Sequence, residues 1–179
     1  MVRIAVTGPE CTGKTSLARW LAAKLFDAKY VSEFAREYLS TKEKGYQYSQ
    51  ADVLRIAAET AKIFSKAFRA DKDVLVVDTD FYVLDIWWNE KFSEHHPDIV
   101  EYKRVYDFDL YILCEPDLEW QPDPLRENPN DRDRLFELYK GALIKDHRTF
   151  EIAEGQGDER TMFLLEKILR RFPNLMLEE

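Results

Sequence analysis

The sequence has few cysteines, few glycines and no long apolar run. Only two of its 179 residues are cysteine, and Cys11 and Cys114 have no metal-ligand spacing, so we expect two free thiols in a reducing cytosol. No segment approaches the ~20 apolar residues that cross a bilayer, and no secretory leader with a cleavage site is recognisable at the start. These absences favour a cytoplasmic protein without a membrane partner.

A basic excess is also missing. The chain carries 26 basic and 34 acidic side chains, which gives a formal net charge of −8. Such a surface repels nucleic acid backbones and argues against nucleic acid as a partner. It does not exclude a nucleoside triphosphate, because backbone N–H groups, a lysine and Mg²⁺ hold phosphates locally. The length and a hydrophobic content of 45% are typical of a soluble globular protein, with a single domain expected over residues 1–179.

Predicted strands alternate with predicted helices along the chain. Short apolar, β-branched runs predict strands, and apolar residues at helical spacing predict helices. The strands are expected over residues 3–7, 29–32, 74–78, 110–114 and 150–154. The helices are expected over residues 14–26, 34–39, 50–70, 81–92, 131–145 and 158–171, with a short one from Pro97. This alternation predicts parallel strands with right-handed crossovers, an α/β layered fold.

The segment from Gly8 to Thr15 is a complete G-x-x-x-x-G-K-[ST] motif, the P-loop or Walker A sequence. Its glycines let the backbone aim successive N–H groups at phosphate oxygens, and the dipole of the following helix favours the same anion. Lys14 is expected to act in catalysis at the β- and γ-phosphates of ATP, and Thr15 to bind Mg²⁺. The preceding strand and following helix favour this function over an ordinary strand–turn–helix. The predicted nucleotide-binding residues of this segment are Gly8, Pro9, Glu10, Cys11, Thr12, Gly13, Lys14, Thr15 and Ser16.

Carboxylates follow two of the predicted strands. Asp78 ends the clearest strand, where P-loop proteins place an aspartate that holds Mg²⁺. Asp80 either takes part in catalysis and acceptor binding or only caps the next helix. Glu33 either orients or deprotonates an acceptor hydroxyl or only favours the helix dipole. Arg36, one turn further on, either holds the acceptor or forms a surface ion pair.

A loop rich in proline and arginine spans about residues 117–134. Its arginines, Arg126, Arg132 and Arg134, predict a lid that closes over the site. Such a lid excludes water and spreads the charge of the transferred phosphoryl group. The alternative is a solvated loop whose arginines pair with its own aspartates.

Two segments are candidates for binding the rings of the substrates. Trp120 and Asp123 suggest a pocket for a flat ring on a ribose, through stacking and recognition of hydroxyl groups. Gln156, which lies between two glycines after the last strand, and Arg160 are expected beside the adenine of ATP. A simple turn is the alternative for this second segment.

With these segments together, the chain resembles the ribosylnicotinamide kinase domain of the NadR family, P-loop kinases of the AAA_28 type. The resemblance rests on stretches that occur in the same order, namely residues 7–15, 31–39, 77–80 and 117–126. It implies a nucleoside-kinase-like sandwich with the strand order 2-3-1-4-5. It also implies an ATP:nicotinamide riboside phosphotransferase of NAD biosynthesis, with Trp120 and Asp123 in the nucleoside-contacting segment.

Two departures from the family pattern leave the substrate open. The DNA-binding and adenylyltransferase partners of that kinase domain do not fit in 179 residues, and Cys11 replaces the commoner serine of the loop. The chain is therefore expected to phosphorylate nicotinamide riboside, or another nucleoside or metabolite, or to be a regulatory ATPase switch. A switch needs no small-molecule pocket, so Trp120, Asp123 and the lid count against it. A homo-oligomer is left open.

Overall fold

The computed structural model of the protein describes residues 1–43, 45–123 and 130–178. Five strands and seven helices lie in these ranges. The strands are β1 (Val2–Thr7), β2 (Ala28–Val31), β3 (Val74–Asp78), β4 (Leu110–Cys114) and β5 (Phe150–Ala153). The helices are α1 (Lys14–Lys24), α2 (Phe34–Ser40), α3 (Gln50–Ala67), α4 (Phe81–Phe92), α5 (Pro97–Val105), α6 (Arg132–Lys145) and α7 (Gly157–Arg171).

The five strands form a parallel sheet in the order β2-β3-β1-β4-β5, which confirms the order implied by the family resemblance. Because every pair is parallel, each strand delivers its last residue to the same edge of the sheet. The register sets Val6 of β1 opposite Asp78 of β3, and Thr7 opposite Leu113 of β4. The phosphate loop therefore leaves the sheet between the ends of β3 and β4.

Successive side chains of a strand point to opposite sides of the sheet. The central strands are almost continuously apolar, so both faces of the sheet are apolar. Ala5, Leu75 and Val77 pack on one side with buried residues of α2, α3, α4, α5 and α6. Ile4 and Val76 pack on the other side with buried residues of α1 and α7. The predicted three-layer sandwich is confirmed.

The predicted elements are present, and only their ends differ by a few residues. α1 ends at Lys24 rather than at residue 26, because Leu25 is extended and forms a bridge with Leu177. α3 begins where it was predicted, since Ser49 and Asp52 form a capping box. Within the described part of the chain, no helix combines the length and the apolar character needed to span a bilayer.

The two cysteines are free thiols, as predicted, but they differ in their surroundings. Cys114 is buried in β4, and burial raises its pKa to about 11, so the thiol stays protonated at neutral pH. Cys11 lies in the phosphate loop, where its Sγ accepts a hydrogen bond from the Gln121 N–H at 3.1 Å.

Candidate active site

The phosphate loop depends on backbone conformations that its glycines supply. Gly8, Cys11 and Gly13 have φ values of 127°, 57° and 77°. A Cβ on Gly8 would lie 2.9 Å from the carbonyl oxygen of Cys114, and one on Gly13 would lie 2.9 Å from Leu118 Cδ1. The loop therefore packs closely against β4 and against the segment that follows β4. A loop that surrounds an anion with its N–H groups needs such a tight backbone.

Two side chains of the motif fold back onto the loop. Thr12 Oγ1 donates to the Pro9 carbonyl at 2.9 Å, and Lys14 Nζ donates to the same carbonyl at 2.6 Å. The lysine charge therefore lies over the loop. The first turn of α1 holds no acidic residue, so nothing there opposes the positive end of the helix dipole. Thr15 is half-buried in that turn and Ser16 is exposed, as is part of Glu10 in the loop.

Asp78 ends β3 beside the strand that leads into the phosphate loop. It is 3% exposed, and its Oδ2 accepts a hydrogen bond from the Tyr30 hydroxyl at 3.3 Å. Its Oδ1 is buried without a hydrogen-bond partner among the described residues. One carboxylate oxygen is therefore held by a protein hydroxyl, and the other makes no hydrogen bond within the described part of the chain.

Asp80 caps α4, which was the structural alternative raised for it, and one of its carboxylate oxygens makes no hydrogen bond within the described residues. Its Oδ1 caps α4 by accepting from the N–H groups of Tyr82 and Val83, and it also accepts from the Thr7 hydroxyl at 3.0 Å. Its Oδ2 is buried without a partner in the described part of the chain. Burial raises the pKa of Asp80 to about 6, although these hydrogen bonds oppose the shift.

A small cavity opens at this edge of the sheet between β3 and helices α2, α3 and α4. Its polar lining consists of Ser32, Glu33, Thr60, Asp78, Thr79 and Asp80, and Phe34 and Phe64 are among its apolar residues. Glu33, at the start of α2, lines this cavity and lies near enough to Lys14 of the phosphate loop to be influenced by its charge. Burial raises the pKa of Glu33; the positive charges of Lys14 and Arg36 lower it, and Asp78 raises it further.

The proposed acceptor residues of α2 and of the segment after β4 meet through ion pairs. Arg36 Nη1 donates to Asp123 Oδ2 at 2.8 Å, and Arg36 Nε lies 3.8 Å from Glu33 Oε2. The arginine side chain is about half exposed, so both pairs contribute little to stability. The arrangement brings Glu33, Arg36 and Asp123 close together, and Arg36 forms the surface ion pair that was raised as the alternative for it.

The lid arginines occupy three different situations. Arg132, the first residue of α6, donates from Nη1 to the carbonyls of Cys11 and Leu118, each at 3.0 Å, and its guanidinium lies 5.7 Å from the ring centre of Trp120. Arg134 instead pairs with Asp131, as in the alternative in which the loop arginines pair with the loop's own aspartates, and also with Glu90 of α4. Arg126 lies outside the described residues. Of the two described arginines, only Arg132 touches the phosphate loop.

The segment predicted to lie beside adenine is held together by Asp117, which sequence reasoning missed. Asp117 accepts from the Gly155 N–H through its side chain and from Gln156 Nε2 through its backbone carbonyl. Arg160 is buried, lies 3.6 Å from the Asp117 carboxylate and donates to the Ala153 carbonyl. Its Nη1 is 3.7 Å from the position of a Cβ on Gly13, so this segment and the phosphate loop are adjacent.

Asp117 had a signal in the sequence, whereas Tyr30 did not. Asp117 follows the end of β4, and a carboxylate after a strand was the criterion that selected Asp78 and Glu33. Tyr30 lies on β2, 48 positions from Asp78, and nothing in a local pattern indicates that contact.

Comparison with known proteins agrees with this fold. A family model described as AAA domain (AAA_28) matches residues 3–160. The trifunctional NAD biosynthesis/regulator protein NadR of Salmonella typhimurium is 31% identical over 166 residues, and the match covers 90% of this chain and 40% of that protein. The chain thus spans well under half the length of this curated relative.

Two solved structures of NadR share the fold at 20% identity. The complex with NR gives a TM-score of 0.82, covering 99% of this chain and 52% of that chain. The complex with NAD and AMP-PNP gives a TM-score of 0.78, covering 94% of this chain and 49% of that chain. The expected resemblance to NadR is confirmed.

Proposed function

The chain belongs to the AAA-domain family whose model matches residues 3–160, and from this premise we propose that it is an ATP-dependent kinase of a small nucleoside. Nicotinamide riboside is the first candidate acceptor, which would place the reaction in NAD biosynthesis. The proposal is carried by one observation: the phosphate loop and the acid-lined cavity share a sheet edge, with Glu33 under the influence of both Lys14 and Asp78. We also propose that residues 1–179 form a single catalytic domain that acts in the cytoplasm.

In this proposal the phosphate loop binds the triphosphate of ATP. The N–H groups between Gly8 and Thr15 surround the phosphates, and Lys14 neutralises charge on the β- and γ-phosphates. Lys14 now donates to the loop carbonyl of Pro9, a contact that a phosphate oxygen would replace. The adenine then lies beside Gln156 and Arg160, in the segment that Asp117 holds against the loop.

The residues present fit a magnesium ion. Among the described residues no group of three or more His, Cys, Asp or Glu side chains forms a dedicated metal site. Mg²⁺ does not need one, because it is held by one or two protein oxygens together with phosphates and waters. Asp78 offers a buried, unpartnered oxygen and Thr15 a hydroxyl at the start of α1. When bound, the ion would neutralise phosphate charge during transfer.

Glu33 is our candidate for the group that accepts the proton of the attacking hydroxyl. Its pKa is raised chiefly by burial, and a raised pKa suits a carboxylate that takes up a proton near neutral pH. Arg36 and Asp123 lie beside Glu33, where Asp123 can exchange its ion pair for ribose hydroxyls. Trp120, packed near Arg132, offers a face for the base.

The regulatory ATPase switch is the competing function. It predicts ATP turnover that does not depend on a small molecule, whereas a kinase couples turnover to phosphorylation of an acceptor. The acidic groups that converge beside the phosphate loop support the kinase.

A nucleoside screen tests the proposal. Purified protein, γ-labelled ATP and Mg²⁺ are incubated with nicotinamide riboside, uridine, thymidine or adenosine, and the labelled product and total ADP are both measured. We expect a labelled mononucleotide from nicotinamide riboside and little ADP without an acceptor. ADP release that none of the nucleosides changes would favour the switch, and a label on another nucleoside would correct the substrate.

Replacing Asp78 with asparagine should raise the Mg²⁺ concentration needed for half-maximal ATP turnover by about tenfold or more. The asparagine keeps an oxygen for Tyr30 but loses the charge that attracts the ion. The Mg²⁺ titration is paired with direct binding of Mn²⁺ and ATP followed by electron paramagnetic resonance. Asp71→Asn, an exposed carboxylate before β3, serves as the control. Unchanged metal titrations in Asp78→Asn would remove Asp78 from the metal site.

A further inference from the structure

Thr79, between the two aspartates at the end of β3, has a backbone conformation that its residue type disfavours. Its φ is 76°, in the left-handed region that a β-branched residue rarely adopts. Its N–H donates to the Val6 carbonyl at 3.0 Å, so the turn is fixed to β1. Glycine would adopt this conformation without strain, and strain of this kind concentrates at functional sites.

The hydroxyl of Thr79 is also unfavourably placed for stability. The residue is 7% exposed, and Oγ1 is buried without a hydrogen-bond partner among the described residues. A buried hydroxyl that makes no hydrogen bond loses its hydration without compensation. Thr79 therefore combines a strained backbone with an unsatisfied hydroxyl. Glycine would relieve the strain, and valine would remove the unsatisfied hydroxyl.

The surroundings of Thr79 indicate what would satisfy the hydroxyl. Thr79 lines the small cavity at the sheet edge together with Glu33, Asp78 and Asp80. Asp78 Oδ1 and Asp80 Oδ2 are buried and unpartnered in the described chain as well, so three consecutive residues each retain one unused oxygen. Ionised carboxylates only accept hydrogen bonds, whereas a threonine hydroxyl both donates and accepts. A sugar hydroxyl that donates to one of these carboxylates still needs a donor for its own lone pairs.

We propose that Thr79 is a further acceptor-binding residue, whose hydroxyl donates to a hydroxyl group of the acceptor sugar while the flanking carboxylates accept from it. The strained turn keeps this hydroxyl at the cavity rather than allowing it to bond to the backbone. The ligand class is a sugar or nucleoside with adjacent hydroxyl groups. This inference rests on the proposed kinase function and deepens it.

The test compares Thr79→Val with Thr79→Ser. Valine matches the shape and the β-branching of threonine, so the strain is unchanged and only the hydroxyl is lost. We expect the KM for nicotinamide riboside to rise by about tenfold, the effect of one hydrogen bond, with the KM for ATP unchanged. Serine retains the hydroxyl and should restore the wild-type KM. Thr161→Val, which removes a half-buried hydroxyl of α7 that donates to the Asp158 carbonyl, is the control and should leave both KM values unchanged.

A thermal unfolding measurement separates this role from a structural one. Valine removes a buried, unsatisfied hydroxyl, so the Tm of Thr79→Val should equal or exceed that of the wild type while acceptor binding weakens. A lower Tm with an unchanged KM for nicotinamide riboside would overturn the inference. If the wild-type protein phosphorylates none of the nucleosides in the screen, the proposed function fails and this inference with it. If the wild type is active and Thr79→Val equals it, only the inference fails.

Discussion

Replacing Lys14 with alanine is expected to lower the rate of phosphoryl transfer by about 10²- to 10³-fold, the loss typical of removing one preorganised group that stabilises transition-state charge. The Lys14 ammonium lies over the phosphate loop, where it now donates to the Pro9 carbonyl at 2.6 Å. Without it, negative charge on the transferred group is left to backbone N–H groups and the metal ion. The rate is measured under single turnover with saturating ATP and Mg²⁺, so that weaker binding does not obscure the chemical step.

The control for this prediction lies on the same helix. Lys24→Ala removes a lysine from the last turn of α1, at the end far from the loop, and should keep the wild-type rate. Both variants should show the wild-type circular dichroism spectrum, because the hydrogen bond that Lys14 Nζ donates lies within the loop. A Lys14→Ala rate within a few-fold of wild type would contradict the assignment of the loop as a catalytic phosphate site.

Replacing Asp80 with asparagine is expected to increase the free energy of unfolding at pH 7. Asp80 is 1% exposed, and burial raises its pKa from 3.8 to about 6, a shift that corresponds to about 3 kcal/mol of native-state cost when the group is ionised. Asparagine retains an oxygen for the Thr7 hydroxyl and for the cap of α4. Its amide must find an acceptor in turn, so we expect a gain of about 1–3 kcal/mol in urea unfolding.

The gain should depend on pH in a defined direction. Asp80 binds its proton more tightly in the folded state, so the contribution of this group to stability is fully present below pH 4. It is lost as the pH rises through about 4 to 6 and is constant above that range. The difference between Asp80→Asn and wild type should therefore be largest above pH 6 and shrink towards pH 4. A difference that does not change between pH 4 and 7 would contradict the raised pKa.

A second aspartate gives the opposite slope and serves as the control. Hydrogen bonds from Arg134 lower the pKa of Asp131. The wild type should therefore have a higher free energy of unfolding than Asp131→Asn at neutral pH, and this difference should disappear as the pH falls below the ordinary pKa range of a carboxyl group.

Asp80→Asn should also lose transfer activity if Asp80 acts on the acceptor. A variant that gains stability but loses activity is typical of a residue that is kept for function although it destabilises the folded protein.

The sequence predicted the fold because each element has a local signal. Apolar β-branched runs indicated the five strands, and their alternation with helical patterns indicated a parallel sheet. Parallel strands bring their carboxyl ends to one edge, so Asp78, Glu33 and the phosphate loop could be placed together before any contact was known. The strand order came from the family resemblance and not from the periodicity.

The partners of the polar side chains could not be predicted in the same way. The residues Arg36 and Asp123 are 87 positions apart and meet only because α2 and the segment after β4 converge on one edge. Arg132 and Arg134 are two positions apart on α6, yet one holds the phosphate loop and the other pairs with Glu90 of α4. Neighbouring residues on a helix point in different directions, and what each meets depends on distant packing.

The sequence by itself therefore determined the phosphate loop, the α/β class and the edge of the sheet at which the chemistry is proposed to occur, because these follow from local spacing and strand direction. Only the tertiary structure decided how each side chain at that edge is used. It buries Asp80 as a cap with a raised pKa, and around one cavity it leaves oxygens of Asp78, Thr79 and Asp80 without a hydrogen-bond partner among residues 1–43, 45–123 and 130–178. Burial and hydrogen-bond satisfaction depend on the whole packed chain, and short-range patterns do not encode them.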